Sequence, residues 1–255
     1  MTPGKVFCFE NEDKIHGVQV PEIQSKNCEK GRLLISYPAQ SNFDGFRCSS
    51  PVEKIQKYLP STSTYVLLDI ASLVSSSTIP FSSRQIDFAP FSFYKLFGHP
   101  TSLGGLIIRK TLLKPPQDFF GGGSVKAWLP TEKIAFEKDD VESWSLGSPP
   151  SSEMLSALIG LNTWLELTNG LINLSSFLLN LCKTTLTALN KITYSNGAPA
   201  FEIYNRGNEN SSGPIITFNV KKANGMFFRP GDISRLMASE GFILRSGCMC
   251  NLEKG

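Results

Sequence analysis

The feature that most constrains this chain is a lysine placed between two apolar segments. The first segment covers residues 86–91, the second covers residues 106–108, and turn-forming residues bound both of them. Short apolar runs with such boundaries are typical of buried strands. Lys95 lies between them in the sequence SFYKLFG, residues 92–98, where the first predicted strand ends. A lysine there is costly unless its ammonium group is paired, its amine is neutral, or it reacts covalently.

Lys95 therefore has two interpretations. It can be an ordinary lysine in a surface loop, which is the usual case for a lysine considered alone. It can also be a neutral amine, the nucleophile that forms Schiff bases with aldehydes such as pyridoxal phosphate. The residues that precede and follow Lys95 favour the second interpretation.

An acid stands at the end of an earlier predicted strand. Residues 64–68 form a largely apolar run that ends at Asp69. A pyridoxal cofactor needs a carboxylate against its ring nitrogen, because the negative charge keeps the ring protonated and electron-withdrawing. Considered alone, Asp69 is better explained as a helix N-cap or a surface acid. A strand-end acid, one crossover and a strand-end lysine are nevertheless the layout expected of fold-type I pyridoxal enzymes.

Polar side chains stand at the same predicted edge. A strand over residues 31–37 runs into a polar loop that contains Asn42, and in open α/β sheets ligands bind at the carboxyl ends of strands. Asn42 can hydrogen-bond a cofactor ring or cap the following helix. Ser92 and Tyr94 flank Lys95 with hydroxyl groups that can hold a phosphate or make ordinary loop hydrogen bonds.

A second chemically informative segment lies near the end of the chain. Residues 245–251 read RSGCMCN, with Cys248 and Cys250 one residue apart. Arg245 would lower a thiol pKa and raise the thiolate fraction. A metal site would need a matching CxxC pair or a histidine cluster, and the chain has only two histidines. The pair is either inert or contains a nucleophile that takes sulfur from an activated cysteine and holds it as a persulfide.

Composition excludes several classes of protein. The net charge of +3 is too small to indicate a nucleic-acid or anionic-membrane partner. The first twelve residues lack the apolar core of a signal peptide, and the most apolar region, 154–189, carries Asn, Glu and Lys as amphipathic helices do. Six scattered cysteines do not form a disulfide framework. We therefore expect a cytoplasmic protein with reduced thiols.

The order of predicted elements indicates an α/β fold. Residues 31–168 are expected to form a large domain with a mostly parallel sheet and helices on both faces. Residues 169–255 are expected to form a small α+β domain that carries the cysteine loop. Two long helices, 152–168 and 171–191, meet at the junction. Residues 1–30 are polar and weakly patterned.

Four segments together resemble the molybdenum cofactor sulfurase family, and more narrowly its N-terminal, cysteine-desulfurase-like domain. They are YPAQSNFDG at 37–45, SFYKLFG at 92–98 with PT at 100–101, FGGG at 120–123 and LRSGCMCN at 244–251. The resemblance covers most of the chain from about residue 30. It implies a fold-type I, aspartate aminotransferase-like fold of the class-V aminotransferase group, with pyridoxal 5′-phosphate as cofactor.

The resemblance also implies roles for individual residues. Lys95 would be the Schiff-base lysine and Cys250 the residue that carries the persulfide, with Cys248 as its neighbour. Arg245 would bind substrate. The remaining residues implied in cofactor binding are Asp69 at the pyridine nitrogen, Asn42 in the ring pocket, and Ser92, Tyr94 and Ser148 at the phosphate.

The reaction that the resemblance implies moves sulfur from L-cysteine to the molybdenum cofactor of enzymes such as xanthine dehydrogenase and aldehyde oxidase, and releases alanine. A homodimer is implied as well. Against the family pattern, we expect the chain to lack the N-terminal phosphate-binding turn and the C-terminal domain that binds the molybdenum cofactor. Two alternatives therefore stay open: a truncated, non-catalytic fragment or interaction protein of the same fold, and a cysteine desulfurase for iron–sulfur assembly.

Overall fold

Four strands form the main sheet of the protein. The computed structural model describes residues 32–47, 52, 63–79, 81, 85–98, 103–113, 122–138, 140–145, 147–205 and 212–247. The strands are β1 (Arg32–Pro38), β2 (Ser63–Asp69), β3 (Phe88–Ser92) and β4 (Gly104–Ile108), and they lie in that order across the sheet. The first two pairs are parallel and the third is antiparallel. This arrangement confirms the prediction of a mostly parallel sheet.

The apolar residues of β2 explain why this strand lies inside the sheet. Val66 and Leu68 are both fully buried, and their spacing of two residues places them on one face of the strand. Leu68 packs in a cluster with Ile70 and Ala89, while Val66 packs with Ile35 of β1. Burial of each such side chain contributes roughly 1.5–3 kcal/mol relative to exposure. Because β1, β2 and β3 run parallel to one another, their carboxyl ends lie at one edge of the sheet.

A one-turn helix follows β3 directly. This helix, α1 (Phe93–Phe97), ends at Gly98, whose φ of 77° is in the left-handed region and whose N–H donates to the carbonyl of Tyr94. Glycine takes that conformation without a steric penalty. The chain then returns antiparallel as β4, with Ser92 opposite Gly104. Lys95 is therefore held by a short helix at the end of a central strand.

The remaining part of the chain is built from hairpins and helices. Its elements are β5 (Val125–Leu129), β6 (Ile134–Glu137), α2 (Ser151–Thr168), α3 (Leu171–Lys191), β7 (Phe201–Ile203), β8 (Phe218–Val220) and α4 (Pro230–Ser239). The two predicted long helices are confirmed, and the chain turns between them at Asn169 and Gly170, both with positive φ. No helix in the described ranges is long and apolar enough to cross a bilayer.

The C-terminal part is tied to the loop that follows β1. Asn205 donates from Nδ2 to the carbonyl of Asp44 over 2.9 Å, and its Oδ1 accepts the N–H of Thr217 over 3.1 Å. The hydroxyl of Thr217 donates to the carbonyl of Phe43. The loop after β1 is thus shaped by residues far along the chain, while the predicted domain division at residue 168 stays a prediction.

A buried carboxylate connects β2 to the end of β4. Asp87 is 5% exposed, its Oδ2 accepts the N–H of Val66 over 2.8 Å, and its Oδ1 lies 2.8 Å from Nε of Arg109. Arg109 also donates to the carbonyl of Ile86 over 3.2 Å. A buried carboxylate is tolerated only where charge and hydrogen bonds compensate for its lost hydration. Asp87 therefore fixes the relative position of three strands.

Replacement of Asp87 by alanine is expected to lower the free energy of unfolding by about 3 kcal/mol, because Val66 loses its acceptor and Arg109 its carboxylate. Urea unfolding followed by circular dichroism measures the loss. Asp232→Ala is the matched control, since Asp232 pairs with Arg235 on the exposed surface of α4, where a pair contributes below about 1 kcal/mol. Equal losses in the two variants would contradict the role of Asp87.

Candidate functional site

A large cavity lies at the carboxyl ends of β1, β2 and β3. Its volume is about 1160 Å³, sufficient for a ligand of cofactor size. Its walls come from the loop after β1 (Gln40, Asn42, Phe43, Asp44), the turn after β2 (Ala71, Ser72, Ser75, Ser76), α1 (Tyr94, Lys95) and the C-terminal half (Leu178, Tyr204, 214–220, Phe228, Pro230, Ile233, Ser234, 243–247). The cavity is thus lined by segments that are distant in sequence.

Lys95 and Asn42 meet in this cavity. The Nζ of Lys95 donates to Oδ1 of Asn42 over 3.3 Å, although 53 residues separate them in sequence. Strand ends bring them together, since Asn42 follows β1 and Lys95 follows β3. Among the described residues, no carboxylate forms an ion pair with Lys95. Within the described part of the chain, the amine is therefore oriented by a neutral amide.

Asp69 lies at the expected edge of the sheet as the last residue of β2. Its carboxylate is exposed, and Oδ1 accepts the N–H of Ala71 over 2.9 Å. The carbonyl of Asp69 accepts the N–H of Ala39 from the loop after β1. Ala71 and Ser72 line the cavity, whereas Asp69 is not one of its lining residues. The role of Asp69 at a ring nitrogen stays a prediction.

Of the three residues whose hydroxyl groups are predicted to hold a phosphate, one lines the cavity and two do not. Tyr94 lines the cavity and is 50% exposed. Ser92 is the last residue of β3, and Ser148 is an exposed residue shortly before α2. Neither serine is a lining residue of the cavity. Tyr94 alone of these three hydroxyls lines the cavity with Lys95, and the phosphate roles of all three stay predictions.

Arg245 brings the C-terminal segment to the same cavity. Arg245 and Gly247 both line it, and Gly247 directly precedes Cys248 in the sequence. Cys248 and Cys250 lie outside the described residues. Within the described ranges, no three histidine, cysteine or carboxylate side chains are grouped to hold a metal ion. The structure thus unites Asn42, Tyr94, Lys95 and Arg245 from the sequence-predicted set.

Two further residues, Gln40 and Ser72, line the cavity although neither was among the predicted site residues. Gln40 is 2% exposed, and its Nε2 donates to the carbonyl of Ser72 over 3.0 Å and to its Oγ over 3.2 Å. Arg47 donates from Nε to Oε1 of Gln40 over 3.2 Å, and burial lowers the pKa of Arg47 from its usual value. Two signals were available: both residues follow predicted strands, and Gln40 belongs to the segment YPAQSNFDG at residues 37–45.

Comparison with known proteins places these features in a family. Residues 13–254 match the family described as Aminotransferase class-V. The molybdenum cofactor sulfurase of Homo sapiens is 36% identical over 231 residues, which cover 86% of this chain and 26% of that protein. Proteins of Bos taurus and Danio rerio with the same name are 32% and 33% identical. The chain spans about a quarter of the length of these relatives.

Solved structures share the fold. The apo cysteine desulfurase of Thermococcus onnurineus superposes with a TM-score of 0.69 and 21% identity, over 86% of this chain and 50% of that one. A mutant of C-DES with glycine covalently linked to its PLP cofactor superposes with a TM-score of 0.63 and 14% identity, over 85% of this chain and 53% of that one. At these identities the likeness establishes the fold-type I architecture and nothing finer.

Proposed function

Because the chain belongs to the class-V aminotransferase family, we propose that it is a pyridoxal 5′-phosphate-dependent sulfurtransferase domain that removes sulfur from L-cysteine. The observation that carries this proposal is the position of Lys95, which is held by Asn42 in a large cavity at the strand ends. Arg245 lines the same cavity and leads into the cysteine loop. The proposed attachment residue and the segment that precedes the proposed sulfur acceptor in the sequence therefore line the same cavity.

The residues present fit this cofactor. It carries an aldehyde, an acidic ring oxygen, a ring nitrogen and a phosphate, and so it needs an amine, hydrogen-bond donors and a carboxylate. Lys95 offers the amine, while Asn42 and Tyr94 offer polar groups in the cavity. Asp69, Ser92 and Ser148 are proposed to complete the set at the ring nitrogen and the phosphate. When bound, the cofactor supplies an electron-withdrawing ring that activates the amino-acid substrate.

The side chains of the chain itself perform the other tasks. Lys95 holds the cofactor and moves protons to and from the substrate, and Asn42 orients its amine through the 3.3 Å hydrogen bond. Arg245 is proposed to bind the substrate carboxylate, because a guanidinium matches a carboxylate with two parallel hydrogen bonds.

Cys250 is proposed as the sulfur acceptor. Its thiolate attacks the sulfur of the bound cysteine, so that a sulfur–sulfur bond forms as the bond between that sulfur and Cβ breaks. The electron pair of the broken bond stays with the carbon, which takes up protons and leaves as alanine. Cysteine and one protein thiol thus give alanine and one protein persulfide, and no outside oxidant is consumed.

Transfer of the persulfide sulfur from the protein to a molybdenum cofactor is the proposed second stage. The name shared by the relatives at 32–36% identity supports it, and xanthine dehydrogenase and aldehyde oxidase are the proposed kind of acceptor. Since the chain spans 26% of the human relative, this stage is proposed for a longer protein or a complex that contains the chain. A homodimer in the cytoplasm is proposed as the working assembly.

The proposed function predicts alanine release by the wild-type chain. Protein loaded with pyridoxal 5′-phosphate is desalted, and L-cysteine is added with a thiol reductant that removes the persulfide. Alanine should accumulate beyond one equivalent per chain, measured by amino-acid analysis, because the reduced acceptor is used again. L-Serine is the matched control, since it offers no sulfur. Loaded protein that releases no alanine would identify the chain as a non-catalytic member of the family.

A further inference from the structure

The loop that carries Asn42 is held from outside by the C-terminal half of the chain. Three consecutive backbone carbonyls of this loop each accept one hydrogen bond from that half. The pairs are Thr217 Oγ1 to Phe43, Asn205 Nδ2 to Asp44 over 2.9 Å, and the N–H of Gly213 to Gly45 over 2.6 Å. We call these three hydrogen bonds the clasp. Because they fall on successive residues, they fix the course of the loop backbone over its whole second half.

Two glycines allow the backbones of the clasp to approach each other. Gly45 has a φ of 70°, and a Cβ on it would lie 3.0 Å from the carbonyl oxygen of Gly213. Glycine takes this left-handed conformation without a steric penalty. The next residues on either side, Phe46 and Ser212, face each other as an antiparallel bridge. The contact between the loop and the C-terminal half is therefore a close backbone pairing that side chains would obstruct.

The clasp begins one residue after Asn42. On the other side of Asn42, the hydroxyl oxygen of Ser41 accepts the N–H of Phe43 over 3.2 Å. Asn42 thus stands between a local turn and the first bond of the clasp, while its Oδ1 accepts the hydrogen bond from Lys95 over 3.3 Å. That distance is already long for such a bond, and a further shift of about 0.3 Å would lose it. The orientation of the Lys95 amine consequently depends on how firmly the loop is held.

The two side chains of the clasp differ in their relation to the cavity. Thr217 lines the cavity, but its hydroxyl donates to the carbonyl of Phe43. Asn205 is not one of the described lining residues. Its Nδ2 also donates to the carbonyl of Ile215, and its Oδ1 accepts the N–H of Thr217 over 3.1 Å. Asn205 therefore joins both sides of the clasp and acts on a ligand in the cavity only through other residues.

We propose that Thr217 and Asn205 are positioning residues for Lys95: through the clasp they fix the loop, so that Asn42 holds the amine where a bound aldehyde reaches it. The inference rests on the proposed function, because the aldehyde is that of pyridoxal 5′-phosphate. Two residues far from Lys95 in sequence then control the rate at which this lysine attaches the cofactor. A clasp that only stabilised the fold would change the free energy of unfolding and leave the attachment rate of the folded protein unchanged.

The attachment rate is measured on the full chain. Protein without cofactor is mixed with pyridoxal 5′-phosphate and reduced with borohydride at set times, and mass spectrometry gives the modified fraction of the Lys95 peptide. Thr217→Val should lower the rate constant about threefold to tenfold, as expected for one neutral hydrogen bond. Asn205→Ala should lower it about tenfold or more, because three hydrogen bonds are lost. Thr217→Ser keeps the hydroxyl and should restore the wild-type rate.

A double variant tests whether the clasp acts through Asn42. Asn42→Ala alone should slow attachment, since the amine loses its acceptor. Addition of Thr217→Val to Asn42→Ala should cause no further loss, because both substitutions affect the same contact. Two effects that simply multiply would overturn the inference, and so would an Asn42→Ala variant that attaches the cofactor as fast as wild type.

Hydrogen exchange follows the loop in the absence of any cofactor. The N–H of Ser41 donates to the carbonyl of Phe46 over 2.8 Å, and the N–H of Gly45 donates to the carbonyl of Ser41 over 3.2 Å. A loosened loop opens these bonds more often and exchanges faster. Thr217→Val should therefore speed exchange in the peptide that contains residues 39–47, whereas Thr217→Ser should not. Unchanged exchange in Thr217→Val would mean that the clasp does not fix the loop, and the inference would fail.

Tyr194→Phe is the matched control for Thr217→Val. Tyr194 also donates a hydroxyl to a backbone carbonyl, that of Lys221, but both residues belong to the C-terminal half. Tyr194→Phe should keep the wild-type attachment rate and loop exchange; equal slowing in both variants would contradict a specific role of the clasp. Wild-type rates in Thr217→Val and Asn205→Ala overturn the inference and leave the proposed function standing. Wild-type protein that attaches no pyridoxal 5′-phosphate to Lys95 overturns the proposed function, and the positioning role with it.

Discussion

Lys95→Ala is expected to abolish covalent retention of pyridoxal 5′-phosphate and all release of alanine, while the fold is kept. Lys95 is half-buried as a residue, and the one described partner of its Nζ is Oδ1 of Asn42, at 3.3 Å. Removal of this amine therefore leaves no buried charge without a partner, and the loss in free energy of unfolding should stay within about 1 kcal/mol. Alanine release should fall by a factor on the order of 10⁴ or more, because the same amine holds the cofactor and moves protons.

The measurement compares visible absorbance after desalting with the thermal midpoint of each protein. Lys95→Arg is a second variant, since it keeps the positive charge but provides no amine that can attach an aldehyde. Lys191→Ala, at the exposed end of α3, is the control lysine and should retain the wild-type band. A band that persists in both Lys95 variants would move the attachment site to another lysine.

Cys250→Ser is expected to remove the protein-bound persulfide and to lower alanine release about a hundredfold or more. Serine is a far weaker nucleophile at neutral pH than a thiolate, so sulfur stays on the substrate. Arg245, which precedes Cys250 by five residues in the sequence, lines the cavity proposed to hold the substrate. Persulfide labelling followed by mass spectrometry of the peptide measures the effect.

Cys248→Ser is the matched control, because it removes a thiol two residues away and should leave the label on Cys250. A label that survives Cys250→Ser and disappears in Cys248→Ser would reassign the acceptor to Cys248. Cys182 is a second internal reference. It is half-buried in α3, burial raises the pKa of its thiol, and it should remain unlabelled at neutral pH.

The elements of this fold were largely predictable because their patterns are local. Short apolar runs bounded by turns predicted β1 to β4, and the long helical runs predicted α2 and α3. The meeting of Lys95 with Asn42 also followed from the sequence, since parallel strands present their carboxyl ends at one edge. The rule needs only the strand assignment and no knowledge of side-chain contacts.

The remaining contacts of the site depend on side-chain orientations and interatomic distances that a sequence pattern does not contain. Asp69 was correctly placed at a strand end, but the sequence did not reveal that its carboxylate accepts the N–H of Ala71. The hydrogen bonds from Gln40 to Ser72 join residues 32 positions apart. Gln40 lies in the family-like segment YPAQSNFDG, but that segment does not reveal that its partner is Ser72. Such contacts depend on tertiary packing, which local propensity does not determine.

The hydrogen bonds between the two halves of the chain affect the order in which parts of the protein fold. Asn205 bonds Asp44 across 161 residues, and Thr217 bonds Phe43 across 174. Closing such long loops is entropically costly and slow compared with pairing β1 to β2. On refolding, far-ultraviolet ellipticity should return before the chain regains cofactor affinity. During biosynthesis, Lys95 leaves the ribosome before residues 214–220 and 243–247, which line the same cavity, so the candidate site is completed only after this later segment has been made.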